Sequence, residues 1–184
     1  MRKLIESTLV SLDGVIESPD RWAPFDHEAS QLAMRDLDNY DAFVMGREGY
    51  ERLRALWAPV TGNPYIEKIN AIKKYVISST LRTTDWNNST ILRGDVITNV
   101  TELKQQDGQD LMIYGHGPLG QTLLEHGLLD EIRLSVHPII VGTGTLFYRD
   151  AGKKTELELV GSDPLPNGVI VLAYRPAPGP HPGL

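Results

Sequence analysis

The sequence predicts an α/β protein in which a mixed, mostly parallel sheet is flanked by helices and closed by an antiparallel hairpin. Short β-branched and apolar runs alternate with amphipathic segments along residues 3–141, which is the pattern of β-α-β units with parallel strands. Two strand-like segments, 154–160 and 169–174, are then joined by the turn-forming stretch 163–168, which predicts antiparallel pairing. A chain of 184 residues with 41% apolar content can bury one core of its own.

The first elements follow from local patterns. A strand is expected over residues 3–12 because apolar and β-branched residues precede the turn pair Asp13-Gly14. An amphipathic helix over 27–38 comes next, with Asp26 as its expected N-cap. The elements that follow are a buried strand over 42–45, a helix from Arg47 limited by Pro59, a helix opened by Asn63-Pro64, and strands over 75–77 and 90–92.

The second half contains a predicted capping box and a further strand-helix-strand unit. Asn99 and Glu102 have the spacing of reciprocal caps, which predicts a helix that starts at Asn99 and ends near Gly108. The remaining elements before the hairpin are a strand over 111–114, a helix from Pro118 to about Gly127, and a long strand that ends near Val141.

Composition and charge exclude several classes of protein. The absence of cysteine excludes disulfide scaffolds, thiol nucleophiles and cysteine-ligated metals. A net charge of −6 without a basic run argues against nucleic acid as a partner. The apolar stretches are too short to span a membrane and the N-terminus lacks a signal-peptide pattern, so a cytoplasmic protein is expected. We expect one domain over 1–175, a disordered Pro/Gly-rich tail over 176–184, and no metal site.

Three predicted strand ends are rich in glycine or hydroxyl groups. They are Gly46-Arg47, Ser78-Ser79 and the segment 115–120. Backbone N–H groups at a helix start, short hydroxyls and the arginine fork are all donors that suit phosphate. Because the carboxyl ends of parallel strands share one edge of a sheet, the three turns together predict a site for a nucleotide with several phosphates.

A Rossmann dehydrogenase is the alternative that the glycines suggest. Gly115, Gly117 and Gly120 spell the G-x-G-x-x-G pattern of that fold. The pattern begins past the middle of the chain, and the acidic pair Asp130-Glu131 precedes the next strand instead of ending it. We therefore reject the Rossmann fold and keep the anion-binding turn, in which His116 is expected to be an exposed loop residue.

Six short motifs occur in the order seen in the dihydrofolate reductase superfamily, and the chain resembles the branch related to the reductase domain of the riboflavin-biosynthesis deaminase/reductase. The resemblance covers about residues 2–175 and implies a dihydrofolate-reductase-like three-layer fold and NADPH-dependent reduction of a small heterocycle or related acceptor. The motifs are Ser11-Leu-Asp-Gly14, Asp41-Ala-Phe-Val-Met-Gly-Arg47, Val76-Ile-Ser-Ser79, Gly115-His-Gly-Pro-Leu119, Gly127-Leu-Leu-Asp-Glu131 and Pro138-Ile-Ile-Val-Gly-Thr-Gly144 with Leu146-Phe147.

The resemblance implies a cofactor half and a substrate half. The family's phosphate loops, ribose-phosphate hydroxyls and nicotinamide strand fall on Leu9, Ser11, Gly14, Gly46, Arg47, Ser78, Ser79, Gly115, Gly117 and Leu119. On the substrate side this chain has Ser7 where riboflavin-pathway reductases carry lysine and Tyr114 where they carry glutamate, and Gly49 replaces a threonine of dihydrofolate reductases. Ser7 and Tyr114 are therefore expected to line a pocket for a substrate other than the ribosylamino-pyrimidine intermediate.

The predicted activity is hydride transfer to a pterin- or pyrimidine-like small molecule. Asp13 is the proposed proton donor beside water, although an Asp-Gly pair is also common in turns for backbone reasons alone. No carboxylate could be placed at the position from which dihydrofolate reductases protonate a pterin. The alternative is a nucleotide-binding homodimeric module without efficient turnover, the dimer resting on analogy with related folds.

Overall fold

The structure is a computed structural model that describes residues 1–23, 27–148 and 154–177. In these ranges the strands are β1 (Leu4–Ser11), β2 (Tyr40–Gly46), β3 (Lys73–Ile77), β4 (Ser89–Leu92), β5 (Asp110–Tyr114), β6 (Glu131–His137), β7 (Leu157–Pro164) and β8 (Ile170–Pro176). The helices are α1 (His27–Leu37), α2 (Arg47–Trp57), α3 (Pro64–Ala71), α4 (Val96–Gln105) and α5 (Pro118–Glu125).

The eight strands form one sheet in the order β4-β3-β2-β5-β1-β6-β8-β7. The first six strands of this order are mutually parallel, and β8 and β7 continue the sheet in antiparallel fashion. The mixed, mostly parallel sheet with a closing hairpin is therefore confirmed. The same arrangement differs from the strand order of a Rossmann domain, so the rejection of that fold is also confirmed.

Helices cover both faces of the sheet, as the three-layer prediction requires. On one face α1, α2 and α3 pack around buried residues such as Phe43 and Ile69. On the other face α4 and α5 pack around Leu111 and Leu123. Each such side chain contributes about 1.5–3 kcal/mol through its removal from water. Since successive residues of a strand face opposite sides, Ser7 lies on the face covered by α1.

The start of α4 differs from the prediction. Asp95 is the N-cap, and its carboxylate accepts a hydrogen bond of 2.8 Å from the backbone N–H of Thr98. Asn99 lies inside the helix, where its side-chain amide donates to the carbonyl groups of Arg93 and Asp95. The predicted start at Asn99 was wrong because an aspartate four residues earlier satisfies the first free N–H groups.

Two strand boundaries also differ. β6 ends at His137 and not near Val141, because Pro138 has no N–H with which to continue the ladder. The hairpin strands lie later than the predicted 154–160 and 169–174, since pairing continues to Pro164 opposite Ile170.

The end of the chain lies largely outside the described residues. Pro176, the first residue of the predicted tail, pairs with Leu157 at the end of β8. The predicted N-cap Asp26 and residues 178–184 fall outside the described ranges. Within those ranges, the helices all fall short of the combined length and apolar character that crossing a membrane requires.

Candidate functional site

A cavity of about 1110 Å³ opens at the carboxyl ends of the parallel strands. Two helices begin at this cavity, α2 directly after Gly46 and α5 directly after Gly117. Neither N-cap glycine has a side chain that could satisfy the N–H groups of the first turn. The cavity therefore receives the positive ends of two helix dipoles together with uncapped backbone donors, which suits an anion.

The glycine turn brings the backbone close to this cavity. Gly115 has φ of +86°, a conformation that favours glycine, and a Cβ there would lie 3.1 Å from Nη2 of Arg52. A Cβ on Gly117 would meet no atom within 4 Å, so its backbone is open. The turn thus forms a cradle in which a ligand can approach the main chain directly.

Two arginines of α2 line the cavity, Arg47 and Arg52. Nε of Arg47 donates to Glu51 over 2.8 Å and Nη1 donates to the hydroxyl of Thr80 over 3.1 Å. Arg47 is half exposed, so its remaining donors can turn towards a ligand. Glu48 and Glu51 also line this side, so the groups that suit an anion here are the N–H groups and the arginine forks and not a net positive charge.

The predicted hydroxyl pair lies beside the cavity and not in its lining. Oγ of Ser78 accepts from the backbone N–H groups of Thr80 and Leu81, which shapes the loop after β3. Ser79 is exposed. Thr80 of the same loop does line the cavity. The assignment of Ser78 and Ser79 to a ribose phosphate stays a prediction, and the structure adds Thr80 as a residue that the sequence reasoning missed.

Residues at the end of β1 have two different surroundings, the cavity wall and a loop that is held by hydrogen bonds. Leu9 lines the cavity, whereas Ser11, Asp13 and Gly14 do not. Oγ of Ser11 donates to Asp13 over 2.6 Å, and Asp13 also accepts from the backbone N–H groups of Val141 and Gly142. These bonds, led by that of Ser11, lower the pKa of Asp13 to about 2. The geometry gives Asp13 a structural role in holding two loops together and does not suit a proton donor.

His116 is not the exposed loop residue that the sequence predicted. Only 7% of its side chain is accessible, and its Nδ1 lies 2.9 Å from Oε1 of the fully buried Glu6. The ring also packs against Phe147 and Tyr148. The prediction was wrong because Glu6 extends from β1 beneath the turn, a contact between residues far apart in the chain. His116 lines the cavity and anchors the glycine turn to the sheet.

A second cavity of about 420 Å³ lies between α1 and the sheet. Its floor contains Ser7, Tyr114 and Arg133, which are neighbours in the sheet because Ser7 is in register with both of the others. Leu9 and Tyr114 line both cavities. The two residues predicted to contact substrate, Ser7 and Tyr114, thus lie side by side in the smaller cavity, and that cavity adjoins the larger one.

A charged cluster that the sequence reasoning missed lines the smaller cavity. Nη1 of Arg133 pairs with Oδ1 of Asp36, while Nε of Arg133 donates to Glu131 over 2.5 Å. The hydroxyl of Tyr40 donates to Asp36 over 3.3 Å. Burial raises the pKa of the Asp36 carboxyl above its ordinary value, and the charge of Arg133 opposes this shift. Asp36 is thus the partly buried carboxyl group of this pocket.

A sequence signal for Asp36 existed. The residue follows Leu32 by four positions and Ala33 by three, so it lies on the apolar stripe of α1 that faces the sheet. A carboxylate on such a stripe needs a partner in the core or in a cavity. The partner, Arg133, lies ninety-seven positions further along the chain, and the sequence pattern gives no means of pairing them.

Comparison with known proteins places the chain in a family. The model of the RibD C-terminal domain matches residues 2–171. The chain is 30% identical over 183 residues to the Bacillus subtilis uncharacterized protein YyaP, covering 95% of each. It is 26% identical over 165 residues to the uncharacterized protein YwjB of the same organism, covering 88% of this chain and 91% of YwjB. The chain belongs to the RibD C-terminal domain family.

Solved structures agree with the fold. A protein of Shewanella sp. PV-4, provisionally described as a riboflavin biosynthesis protein, superposes with a TM-score of 0.74 at 18% identity, covering 96% of this chain and 99% of that one. The Thermotoga maritima diaminohydroxyphosphoribosylaminopyrimidine deaminase/5-amino-6-(5-phosphoribosylamino)uracil reductase superposes with a TM-score of 0.66 at 13% identity, covering 96% of this chain and 57% of that one. The dihydrofolate-reductase-like fold is thereby confirmed.

The part of the chain that the structure describes contains no cluster of side chains that could bind a metal ion. Over residues 1–23, 27–148 and 154–177, His, Asp and Glu side chains do not gather in groups of three or more that could hold a metal ion.

Proposed function

We propose that this protein is an NADPH-dependent reductase that transfers a hydride to a small heterocyclic or related acceptor. The observation that carries the proposal is the junction of the two cavities. One cavity is lined by two uncapped helix N-termini and two arginines, and the other combines a polar cluster with apolar side chains of α1 and the sheet. The two cavities share Leu9, Ala23, Tyr65 and Tyr114, so a donor in the first and an acceptor in the second would meet beside these residues.

The residues present suit a dinucleotide. The glycine cradle at Gly115 and Gly117 and the start of α2 at Gly46 would hold its phosphates, with Arg47 and Thr80 as side-chain donors. Because the cavity has a volume of about 1110 Å³, it can accept a ligand of this size. When bound, NADPH supplies the hydride and the protein supplies orientation and electrostatics.

Placing the acceptor and supplying its proton are the proposed roles of side chains that line the smaller cavity. Tyr114 and Leu9 separate the two binding spaces and leave room for contact between their occupants. Asp36 is a partly buried carboxyl group that lines the acceptor space together with Asp163, and its raised pKa lets it keep a proton at a higher pH than an exposed aspartate does. Asp36 therefore replaces Asp13 as the proposed side-chain proton source beside water.

Binding and turnover are tested separately. We expect NADPH fluorescence to change on binding to the wild-type protein, and Arg47→Ala to raise the dissociation constant by about tenfold or more, since a charge-assisted contact is worth about 1.5–3 kcal/mol. Arg54→Ala on the same helix is the matched control because Arg54 pairs with Asp85 away from the cavity. Equal affinities for wild type and Arg47→Ala would remove Arg47 from the site, and absence of NADPH binding would refute the proposal.

The second candidate is a homodimeric nucleotide-binding module without efficient turnover. Ser7, Gly49 and Tyr114 favour it, because at these three positions the chain lacks residues that the related reductases carry. Loss of reduced-nicotinamide absorbance with a panel of pterins, pyrimidines and quinones separates the two. Binding of NADPH without oxidation by any acceptor in the panel would favour the module.

A further inference from the structure

We infer that Nε2 of His116 donates a hydrogen bond to a phosphate group at the start of α5, and that the buried Glu6 makes this contact depend on the uptake of one proton. The inference rests on the proposed function and adds a binding residue and a pH dependence to the same site. Three observations lead to it: the bond that occupies Nδ1, the position of the ring at the glycine turn, and a second buried group in the same cavity wall.

The bond between Glu6 and His116 decides what Nε2 can do. Nδ1 of the ring lies 2.9 Å from Oε1 of Glu6, so one proton lies between these two atoms. If the pair holds only this proton, Nε2 carries a lone pair and can only accept a hydrogen bond. With a second proton, Nε2 becomes a donor, whichever atom holds the first. The pair therefore offers a donor to an anion only after it has taken up a proton.

The ring is placed where a helix start lacks a donor. His116 lines the larger cavity and directly precedes Gly117, the N-cap of α5. Pro118 is the first residue of that helix and has no N–H, so the first turn is left with the backbone donors of Leu119 and Gly120. Among the described residues, no group makes a hydrogen bond with Nε2 of His116. The ring can thus supply the donor that the proline removes.

A second side chain in the same wall has an unsatisfied polar group. Thr8 lines the larger cavity and is only 3% exposed, and within residues 1–23, 27–148 and 154–177 its hydroxyl has no hydrogen-bond partner. Thr8 follows Glu6 by two positions on β1, so both side chains lie on the face of the sheet that α5 covers. A buried hydroxyl without a partner is unfavourable, and a ligand oxygen beside it would remove that cost.

The charge of Glu6 makes the proton necessary. The carboxylate is fully buried, and among the described residues His116 is its hydrogen-bond partner while Oε2 has none. If the ring stayed neutral, a phosphate at the turn would face a lone pair with a buried carboxylate behind it, and these groups repel one another. If the ring is protonated, a cation lies between the two anions and bonds to both. Phosphate binding and proton uptake therefore favour each other.

The other charged and titratable groups around the ring do not change charge near neutral pH. Nη2 of Arg52, on α2, lies beside Gly115 and stays cationic. The ring of Tyr148, in the segment after β6, is 4.6 Å from that of His116. Burial, with the charges of Glu6 and of Glu125 on α5, raises the pKa of Tyr148 to about 12, so it stays a neutral phenol. In the described structure, proton uptake at the turn thus belongs to the Glu6–His116 pair.

The test counts protons. NADP⁺ is titrated into the protein by calorimetry in two buffers that differ in their enthalpy of ionisation, and the difference in heat gives the number of protons taken up. At pH 7.5 we expect wild type to take up about half a proton or more per NADP⁺ beyond the value for His116→Gln, since glutamine keeps an N–H donor but does not titrate. Protons that the phosphates of NADP⁺ themselves exchange cancel in this comparison.

Two further variants assign the effect. His126→Gln is the matched control, because His126 is the C-cap at the other end of α5, bonds through Nδ1 to the carbonyl of Thr122 over 2.8 Å and lies outside the cavity lining. It should keep the proton uptake of wild type. Glu6→Gln should lose most of it at pH 7.5, because no carboxylate then stabilises the protonated ring. If Glu6 were only structural, this change would lower the free energy of unfolding, measured with urea, and leave the proton count unchanged.

The outcomes separate this inference from the proposed function. Equal proton uptake by wild type and His116→Gln, or an equal loss in His116→Gln and His126→Gln, would overturn the inference while NADPH binding stands. This comparison decides the matter even if Glu6→Gln does not fold. If NADP⁺ does not bind, the proposed function fails, and the nitrogen chemical shifts of the His116 ring are followed as inorganic pyrophosphate is added. A change to the shifts of a protonated ring would support the inference, and an unchanged ring would overturn it.

Discussion

The two cavities of this protein are built from different materials. The larger one depends on the backbone: glycine turns, two helix starts and exposed arginines that keep free donors. The smaller one depends on side chains that are bonded to one another, chiefly Asp36, Tyr40 and Arg133. Charged side chains of the larger cavity are therefore available to a ligand, whereas most of those in the smaller cavity pair with one another and stabilise the fold.

The largest expected effect is a loss of stability, and it concerns the contact between Glu6 and His116 beneath the glycine turn. A Cβ at Gly120 would lie 1.8 Å from Oε2 of the fully buried Glu6, so Gly120→Ala must displace the carboxylate and break its bond to His116. We expect a loss of about 2 kcal/mol in the free energy of unfolding, measured by urea denaturation.

A helical glycine without such a contact gives the control. Gly49 of α2 would place its Cβ 3.9 Å from that of Met45, which is an ordinary contact. Gly49→Ala should therefore raise the stability by about 0.5–1 kcal/mol through helix propensity. A Gly120→Ala protein as stable as wild type would show that Glu6 moves freely and that the turn is not anchored by it.

The next effect compares the arginines of the two cavities. Arg133→Gln leaves the carboxylates of Asp36 and Glu131 without their common cation in a partly buried site, and we expect a loss of about 1–2 kcal/mol in the free energy of unfolding. Arg47→Ala removes a half-exposed side chain and should change stability by less than about 0.5 kcal/mol. Thermal and urea unfolding of both variants checks this, and equal losses would contradict the distinction between structural and ligand-directed charges.

The smallest expected effect is on the pH dependence of stability. It concerns Asp13, which follows β1 and bonds to the segment after β6. The pKa of Asp13 is about 2 in the folded protein, below its ordinary value of 3.8, so its ionised form stabilises the folded state above about pH 4. This contribution is lost as the pH falls through about 2. Asp13→Asn should be slightly less stable than wild type at pH 7, with the difference shrinking from pH 4 downwards. Urea unfolding at pH 7, 4 and 3 measures it, and a difference that stays constant would argue against the ionic contribution.

Much of the larger cavity could be predicted because its parts are local. Gly46-Arg47 and Gly115–Gly117 each combine a strand end with a helix start inside a few residues, and the strand order of parallel sheets brings such ends to one edge. Where the local rule failed, a second local signal competed with it, as when Asp95 and not Asn99 capped α4.

The smaller cavity could be predicted only in part. Ser7 and Tyr114 were expected to lie near a substrate on grounds of resemblance, and they do lie side by side. The partners that give this cavity its character, Asp36 and Arg133, come from α1 and β6. Their pairing depends on how α1 crosses the sheet, which no spacing within either element encodes.

The sequence by itself determined the class of fold, the closing hairpin and the places where backbone donors gather, because hydrophobic periodicity, glycine and helix starts act over a few neighbouring residues. The tertiary structure alone decided that His116 is bonded to a buried Glu6, that Asp13 ties two loops, and that Arg133 is neutralised inside a second cavity. These outcomes depend on distances between groups that lie far apart in the chain, and such distances are set only when the helices pack on the sheet.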